Sequence, residues 1–217
     1  MSIASRATSM TSSDLETDRL RLTVITVERM RADAAADGTL AMLLNATVPA
    51  AWPPEHWEPH VFEFIEKQAR ETPHAASWNR YVLLKINPPT LIGTLGGFPK
   101  GTDEAEIGYS ILPTWQRQGL ATEALRIFIE ELFLDRTLSS ITAQTLPHLL
   151  PSIRVLEKCG FHLEGPGEEG AIRYRQMKPK GDHRTALRSA SQPSRPAASS
   201  AARSILTIPI IACIALG

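Results

Sequence analysis

The sequence contains few cysteines, and this scarcity excludes several classes of protein. Among 217 residues only Cys159 and Cys213 occur, far apart and without a neighbouring metal-ligand residue. They cannot form the disulfide framework of a small secreted domain or a CxxC zinc or redox motif. The six histidines form no HExxH motif either, so no metal site is expected. These features favour a protein of the reducing cytoplasm.

Long hydrophobic runs are also missing from the sequence. Residues 1–13 are rich in Ser and Thr and lack the apolar run of a secretory signal. The last apolar stretch, residues 205–216, is interrupted by Pro209. A membrane-spanning helix needs roughly twenty apolar residues. We therefore expect no membrane partner.

The formal net charge of the chain is zero, but its charged residues are unevenly distributed. Residues 178–204 carry six Lys or Arg and one acid, whereas residues 1–177 carry 17 basic and 22 acidic residues. An acidic body argues against a nucleic-acid partner and is compatible with a cationic or amine substrate. The glycines of segment 93–97 lack the lysine of a phosphate-binding loop, so nucleotide hydrolysis is not predicted.

Length and composition predict one domain with two tails. Hydrophobic residues make up 43% of the chain, enough to bury a core. We predict a flexible leader at 1–13, a domain at 14–178, and a disordered basic Ser-Ala-Pro tail with a short apolar end at 179–217. The sequence does not choose between a monomer and a homodimer.

Within the domain, hydrophobic periodicity predicts an α+β fold, a mixed sheet flanked by helices. Period-2 alternation and short apolar runs predict strands at 20–24, 81–86, 91–98, 105–112, 140–145, 161–163 and 171–177. Helical spacing and end signals predict helices at 27–44, 58–70, 119–134 and 151–159. The segment 48–59 carries four prolines and is predicted to be loop, and Gly165-Pro166-Gly167 is predicted to be the last turn.

One strand-to-helix connection carries a chemical signal. After the strand at 105–112 comes Gln116-Arg117-Gln118-Gly119-Leu120-Ala121, which leads into a helix. Such a turn aims unpaired N–H groups at a helix N-terminus, where a pyrophosphate can bind. Gly119 allows close approach to the phosphate, and Arg117 could add a charge contact. An ordinary strand-to-helix turn would show the same short pattern.

Three blocks in this order resemble the GNAT superfamily of N-acetyltransferases. The blocks are Leu15-Glu16-Thr17-Asp18-Arg19-Leu20-Arg21-Leu22, then Glu106 to Pro113 with Gln116 to Ala124, then Ser152 to Phe161. The first block is similar to the branch that acetylates the N-termini of ribosomal proteins. The resemblance implies one GNAT-like domain, with a twisted, mostly antiparallel sheet, flanking helices and a splayed central strand pair. It also implies acetyl-CoA as co-substrate.

The resemblance further implies which residues form the site. The expected cofactor-binding residues are Ile111, Leu112, Gln116, Arg117, Gln118, Gly119, Leu120, Ala121 and Thr122. Glu106 is the expected general base and Ser152 the expected proton donor to the leaving thiolate. Glu106 could instead be solvated or paired across the sheet, and Ser152 could simply bond its own backbone.

The sequence departs from the family pattern at two positions. Many relatives carry a Tyr where Leu156 stands and an Asn where Leu149 stands. The implied activity is direct acetyl transfer to a primary amine, either a small molecule or a protein N-terminus. A non-catalytic acyl-CoA-binding sensor or scaffold is the alternative. Aromatic side chains near the Pro-rich loop either shape the acceptor pocket or form a satellite core: Trp52, Trp57, Phe62 and Phe64.

Overall fold

The computed structural model describes residues 14–54, 57 and 59–179. The predicted leader at 1–13 lies outside the described residues, and so does the predicted tail from residue 180 onward. The predicted domain, 14–178, is therefore described almost completely.

Eight strands form one sheet. They are β1 (Leu15–Glu16), β2 (Leu20–Val24), β3 (Arg80–Leu84), β4 (Thr90–Lys100), β5 (Glu104–Ile111), β6 (Ser140–Thr145), β7 (His162–Pro166) and β8 (Ile172–Met177). Their order across the sheet is β1-β2-β3-β4-β5-β6-β8-β7, and every neighbouring pair is antiparallel except β5 and β6. The mixed, mostly antiparallel sheet expected from the sequence is confirmed.

Five α-helices accompany the sheet in the described part of the chain. They are α1 (Val27–Ala35), α2 (Thr39–Leu44), α3 (Pro59–Glu71), α4 (Leu120–Leu134) and α5 (Leu150–Lys158). Short 3-10 turns occupy Pro73–Trp78 and Pro113–Trp115. The helix predicted at 27–44 is two helices, because Ala36 and Gly38 both adopt left-handed backbone angles between them.

The helices cover the two faces of the sheet, and strand alternation separates their cores. On β3, Val82 and Leu84 pack with the apolar side of α4 and with Leu156 of α5. Tyr81 and Leu83 face the opposite way, into a second core with α1, α2 and α3. Side chains one residue apart along a strand point to opposite faces. The sheet is therefore a middle layer between two sets of helices, with a separate core on each face.

The central strands diverge part-way along their length. β5 pairs with β6 only from Glu104 opposite Ser140 to Ile107 opposite Ala143. β5 nevertheless continues to Ile111 in full register with β4, and β6 continues to Thr145 in register with β8. The sheet is thus split between β5 and β6, as the splayed strand pair of the GNAT-like fold requires.

The end of the domain differs from the prediction. The expected turn at 165–167 is wrong, because β7 runs on to Pro166 and pairs there with Ile172. The chain reverses over residues 167–170, where Glu169 and Gly170 take left-handed angles. A bulge between Leu163 and Gly165 lets the strand continue past the glycine.

Gly93 offers a test of how tightly β4 and β5 are joined. An added Cβ there would lie 2.1 Å from the Ser110 carbonyl oxygen, a backbone atom that cannot move aside cheaply. We expect Gly93→Ala to lower the free energy of unfolding by about 1 to 3 kcal/mol, as for other overpacked positions. Denaturant unfolding measures the change.

Gly97→Ala is the matched control, on the same strand. Its Cβ would meet the side chain of Ile107 at 3.3 Å, a contact that a methyl group can relax. Equal destabilisation by the two variants would show that added bulk anywhere on β4, not the clash with Ser110, sets the cost.

Candidate active site

The turn after β5 is held together by its own side chains. Gln116 Nε2 donates to the carbonyl oxygen of Ile111 at 2.8 Å, and Gln118 Nε2 donates to that of Thr114 at 3.2 Å. Both glutamine side chains therefore cap backbone carbonyls within the segment. Any ligand at this turn would meet mainly its backbone.

The backbone of the turn then swings into α4. Arg117 has φ of 62° and Gly119 has φ of 79°, both in the left-handed region. Gly119 is the N-cap of α4 and supplies no side-chain cap, and the first helical bond runs from Glu123 N to Gly119 O at 3.0 Å. The N–H groups of the first turn have no helical partner, so they and the helix dipole create a site suited to an anion.

A groove runs along this turn between β5, the start of α4, and α5. Its empty volume is about 1280 Å³. Its lining includes seven of the nine residues expected to bind cofactor: Ile111, Gln116, Arg117, Gly119, Leu120, Ala121 and Thr122. Leu112 and Gln118 are not part of the lining.

Three cationic side chains line the same groove. Arg117 was considered from the sequence, but Arg154 and Lys158 of α5 were missed. They stand four residues apart and therefore share one face of the helix. Their i, i+4 spacing within the third resemblance block, Ser152 to Phe161, is the sequence signal that could have indicated them. The three cations favour an anionic ligand such as a pyrophosphate.

A second cavity lies on the opposite side of β5, beneath α3. Its empty volume is about 560 Å³, and Val61, Phe64 and Ile65 of α3 form one wall. Gly96 and Gly108, which are paired across β4 and β5, contribute to the sheet side. Its described lining includes one histidine, His60, and no Asp, Glu, Lys or Arg. It is a mostly apolar pocket with a few polar atoms.

Tyr109 lines both cavities. Strand alternation places its side chain on the same face of β5 as those of Ile107 and Ile111. Its hydroxyl donates to the Ser152 carbonyl oxygen at 3.2 Å and lies 3.3 Å from Ser152 Oγ. The groove and the apolar pocket thus meet at this one residue of β5.

The two expected catalytic residues are both buried. Glu106 is 2% exposed, forms an ion pair with Lys100, and accepts a 2.9 Å hydrogen bond from Gln144 Nε2. Ser152 is 0% exposed and touches the Tyr109 hydroxyl. Glu106 shares a face of β5 with Gly108, so it lies beside the apolar pocket.

Cys159 is buried at the end of α5. Its Sγ lies 3.7 Å from the Thr122 carbonyl oxygen, and burial raises the pKa of the thiol to about 11. Such a thiol is a poor nucleophile at neutral pH.

Comparisons with known proteins identify the family. The family model described as Acetyltransferase (GNAT) domain matches residues 21–162. The chain belongs to the GNAT acetyltransferase family.

Named relatives agree with this assignment. The Probable N-acetyltransferase YjcK of Bacillus subtilis (strain 168) is 41% identical over 78 residues, which are 35% of this chain and 43% of that protein. The Uncharacterized N-acetyltransferase YjdG of the same strain is 27% identical over 157 residues, 71% of this chain and 93% of that protein. The match therefore spans less than half of YjcK and nearly all of YjdG. Family and relatives together support an acyltransferase enzyme.

Solved structures show the same fold. The ribosomal-protein-S5-alanine acetyltransferase from Vibrio fischeri superposes with a TM-score of 0.53 at 18% identity, over 77% of this chain and 97% of that one. At this identity the likeness supports the GNAT fold and leaves the acceptor open.

Two observations hold only for the described residues, 14–54, 57 and 59–179. No group of three or more His, Cys, Asp or Glu side chains there could hold a metal ion. No helix in that part of the chain has the length and hydrophobicity to cross a membrane.

In this GNAT domain, Asp33 organises the aromatic side chains near the apolar pocket. Its carboxylate accepts hydrogen bonds from Trp52 Nε1 at 2.7 Å, Trp57 Nε1 at 2.8 Å and the Tyr81 hydroxyl at 2.8 Å. Burial, followed by the nearby Asp33 charge, raises the pKa of Tyr81 above its ordinary value.

The sequence left two roles open for four aromatic residues, which either shape an acceptor pocket or form a satellite core. All of them pack in the core with Tyr81, and Trp57 and Phe64 also line the pocket. Trp52 and Phe62 are not part of the pocket lining.

Asp33→Ala should therefore destabilise the domain and disturb the pocket. It removes the acceptor of three donors, one of them the buried Tyr81 hydroxyl, and an unsatisfied buried polar group costs about 1 to 3 kcal/mol. We expect a loss of about 3 kcal/mol in the free energy of unfolding, measured by urea denaturation.

Arg31→Ala provides the matched control on the same helix. Arg31 forms only an exposed ion pair with Glu66 at 3.7 Å, and such pairs contribute about 0 to 1 kcal/mol. If the two variants unfold at the same urea concentration, Asp33 is not the organising group.

Proposed function

We propose that the protein is an N-acetyltransferase that transfers the acetyl group of acetyl-CoA to a primary amine by direct attack. One observation carries this proposal. The groove beside the anion-binding turn and the apolar pocket on the other face of the sheet meet at Tyr109. A cofactor in the groove and an acceptor in the pocket could bring thioester and amine together there.

The cofactor's pyrophosphate would bind the amides at the start of α4, with Arg117, Arg154 and Lys158 around it. The pantetheine arm would lie along the end of β5, beyond its last pair with β6. Leu112 N donates to Ile92 O of β4, so strand alternation turns the N–H group of Ile111 away from β4. β6 does not pair with β5 at Ile111. This N–H group could bond the pantetheine or stabilise the oxygen of the thioester.

The acceptor would be a primary amine, on a small molecule or at a protein N-terminus. The described pocket lining has no Asp, Glu, Lys or Arg, which favours an acceptor with an uncharged body over a polycation. The side chain of Asn79 lies over Gly96, where its Oδ1 could accept a hydrogen bond from the amine.

Proton transfer completes the proposed reaction. Glu106 would receive the proton of the attacking amine, directly or through a water, in competition with its ion pair to Lys100. Ser152 is buried, so in this arrangement it would act on the departing thiolate by way of Tyr109. The thiolate would leave as coenzyme A with a proton from the Tyr109 hydroxyl, which Ser152 would replace, while the amide product keeps the acetyl group. Water would then take the amine's proton from Glu106 and return one to Ser152.

A screen of amines with free thiol release as readout tests the function. Acetylated product with at least one amine supports the enzyme. Binding of acetyl-CoA without turnover of any amine or of the thioester itself would favour the sensor or scaffold alternative. Failure to bind coenzyme A would overturn both.

Gly119→Val tests the cofactor site. A side chain at Gly119 would meet only Arg19 at 3.7 Å in the protein itself, so the added bulk projects where a phosphate would approach. We expect calorimetry to show coenzyme A binding weakened by at least tenfold, about 1.4 kcal/mol.

Gly101→Val is the control for backbone strain. Gly101 has φ of 70° in the β4–β5 turn, with nothing near its would-be Cβ. It carries the same left-handed penalty away from the groove. Wild-type affinity in Gly119→Val, or equal weakening in both variants, would rule out the assigned site.

Glu106→Gln and Ser152→Ala test the proton roles. Turnover should rise with pH, because a free amine is mostly protonated at neutral pH, with a pKa near 10 for a side-chain amine and about 8 for an α-amine. Glu106→Gln should lower kcat by about 10² to 10⁴. Ser152→Ala should lower it by less than about tenfold and keep the amine's pH dependence.

The readout is a pH–rate profile for each variant with one accepted amine. Coenzyme A affinity should survive both changes, since the phosphate contacts proposed above are chiefly backbone. Wild-type kcat with an unchanged acidic limb in Glu106→Gln would assign Glu106 to the Lys100 ion pair alone.

A further inference from the structure

A side-chain network joins the N-terminal hairpin to the start of α4. Arg19 Nε donates to Glu123 Oε2 at 2.7 Å, and Arg19 N donates to Glu123 Oε1 at 3.2 Å. Thr17 Oγ1 donates to Glu123 Oε1 at 2.5 Å and accepts from Leu20 N at 2.9 Å. Glu123 is thus held by two residues that stand about a hundred positions earlier in the chain. We call Thr17, Arg19 and Glu123 the clasp.

The clasp also reaches the turn itself. Arg19 Nη1 donates to the carbonyl oxygen of Gln118 at 3.1 Å. Gln118 stands between two left-handed residues, Arg117 and Gly119. A non-glycine residue in that region costs about 1 to 3 kcal/mol and persists only where surrounding contacts fix it. The bond from Arg19 is such a contact, and it fixes the peptide between Gln118 and Gly119.

Charge within the clasp is balanced. Partial burial raises the pKa of the Glu123 carboxyl, but hydrogen bonds from Thr17 and Arg19 outweigh it and leave the pKa below its ordinary value. Arg19 therefore already has an ionised partner at neutral pH. Its guanidinium is engaged on two sides, by a carboxylate and by a carbonyl.

We propose that Arg19 is a positioning residue, which holds the Gln118–Gly119 backbone in the conformation that receives the cofactor's phosphates. The inference rests on the proposed function. It assigns the N-terminal hairpin a role in acetyl-CoA affinity, although the hairpin supplies none of the residues that line the groove.

A direct contact between Arg19 and phosphate is the rival explanation, and Glu123→Gln separates the two. This change deletes a negative charge near an anionic ligand and leaves Arg19 a single neutral amide oxygen in place of the carboxylate. Direct phosphate binding by Arg19 therefore predicts equal or tighter coenzyme A binding. The clasp predicts weaker binding, because the turn loses its brace.

The experiment measures the Kd of coenzyme A by calorimetry for the full chain and for Arg19→Ala, Arg19→Lys, Glu123→Gln and the double variant Arg19→Ala with Glu123→Gln. We expect roughly tenfold weaker binding for Arg19→Ala and for Glu123→Gln, the scale of a lost hydrogen bond to a charged group. Arg19→Lys should recover part of the affinity. The double variant should bind no more weakly than Arg19→Ala, since both changes open the same clasp.

Arg21→Ala is the matched control. Arg21 lies two residues along the hairpin, donates to the Leu44 carbonyl oxygen at 2.9 Å and approaches Asp14 at 3.9 Å, away from the turn. It should keep wild-type affinity. In turnover, the clasp variants should raise the KM for acetyl-CoA and leave kcat and the KM for the amine near wild type.

The outcomes decide between the explanations. Wild-type affinity in Arg19→Ala, or unchanged or tighter binding in Glu123→Gln, overturns the proposal. If Arg21→Ala weakens coenzyme A binding equally and also lowers the melting temperature, the effect reflects general stability of the hairpin. That result also overturns the proposal. If wild-type protein does not bind coenzyme A, the proposed function fails, and that result is separate from any difference among the variants.

Discussion

The candidate site depends on the parting of β5 from β6. Both strands continue beyond their last shared pair at Ile107 and Ala143, each held by its other neighbour. A strand edge in the middle of a sheet normally has no free hydrogen-bonding groups, because each side is paired. Here Ile111, at the end of β5, has no pairing partner in β6. The fold thereby supplies a backbone donor at a fixed place without using a mobile loop.

The same strand divides the two cavities. Its alternating faces direct Tyr109 toward α5 and leave Gly108 on the side of α3, where Gly96 of β4 lies opposite. Because glycine has no side chain, this pair leaves room for the apolar pocket under α3. Strand period and residue size together place a groove and a pocket within one residue of each other. An enzyme that joins two substrates needs such an arrangement.

Much of the fold could be predicted from the sequence, because strand and helix periods were clear and the resemblance blocks stood in order. The candidate anion-binding turn was readable for a similar reason, since Gly119 marks a backbone requirement that few residues meet. Contacts distant in sequence were not readable. Nothing local signals that Asp33 joins Trp52, Trp57 and Tyr81. Arg154 and Lys158 share one helix face by their spacing, but only the fold shows that this face lines the groove.

The turn before α4 shows why such distant contacts matter for a backbone site. Its amides can bind an anion only if the peptide planes stay fixed, and two left-handed residues make the segment costly to hold. The glutamine side chains brace it from within, and Arg19 braces it from the first hairpin of the chain. The conformation of this turn is therefore fixed partly by a residue from a distant part of the sheet. A site built from backbone amides depends on its supporting side chains as much as a site built from side chains does.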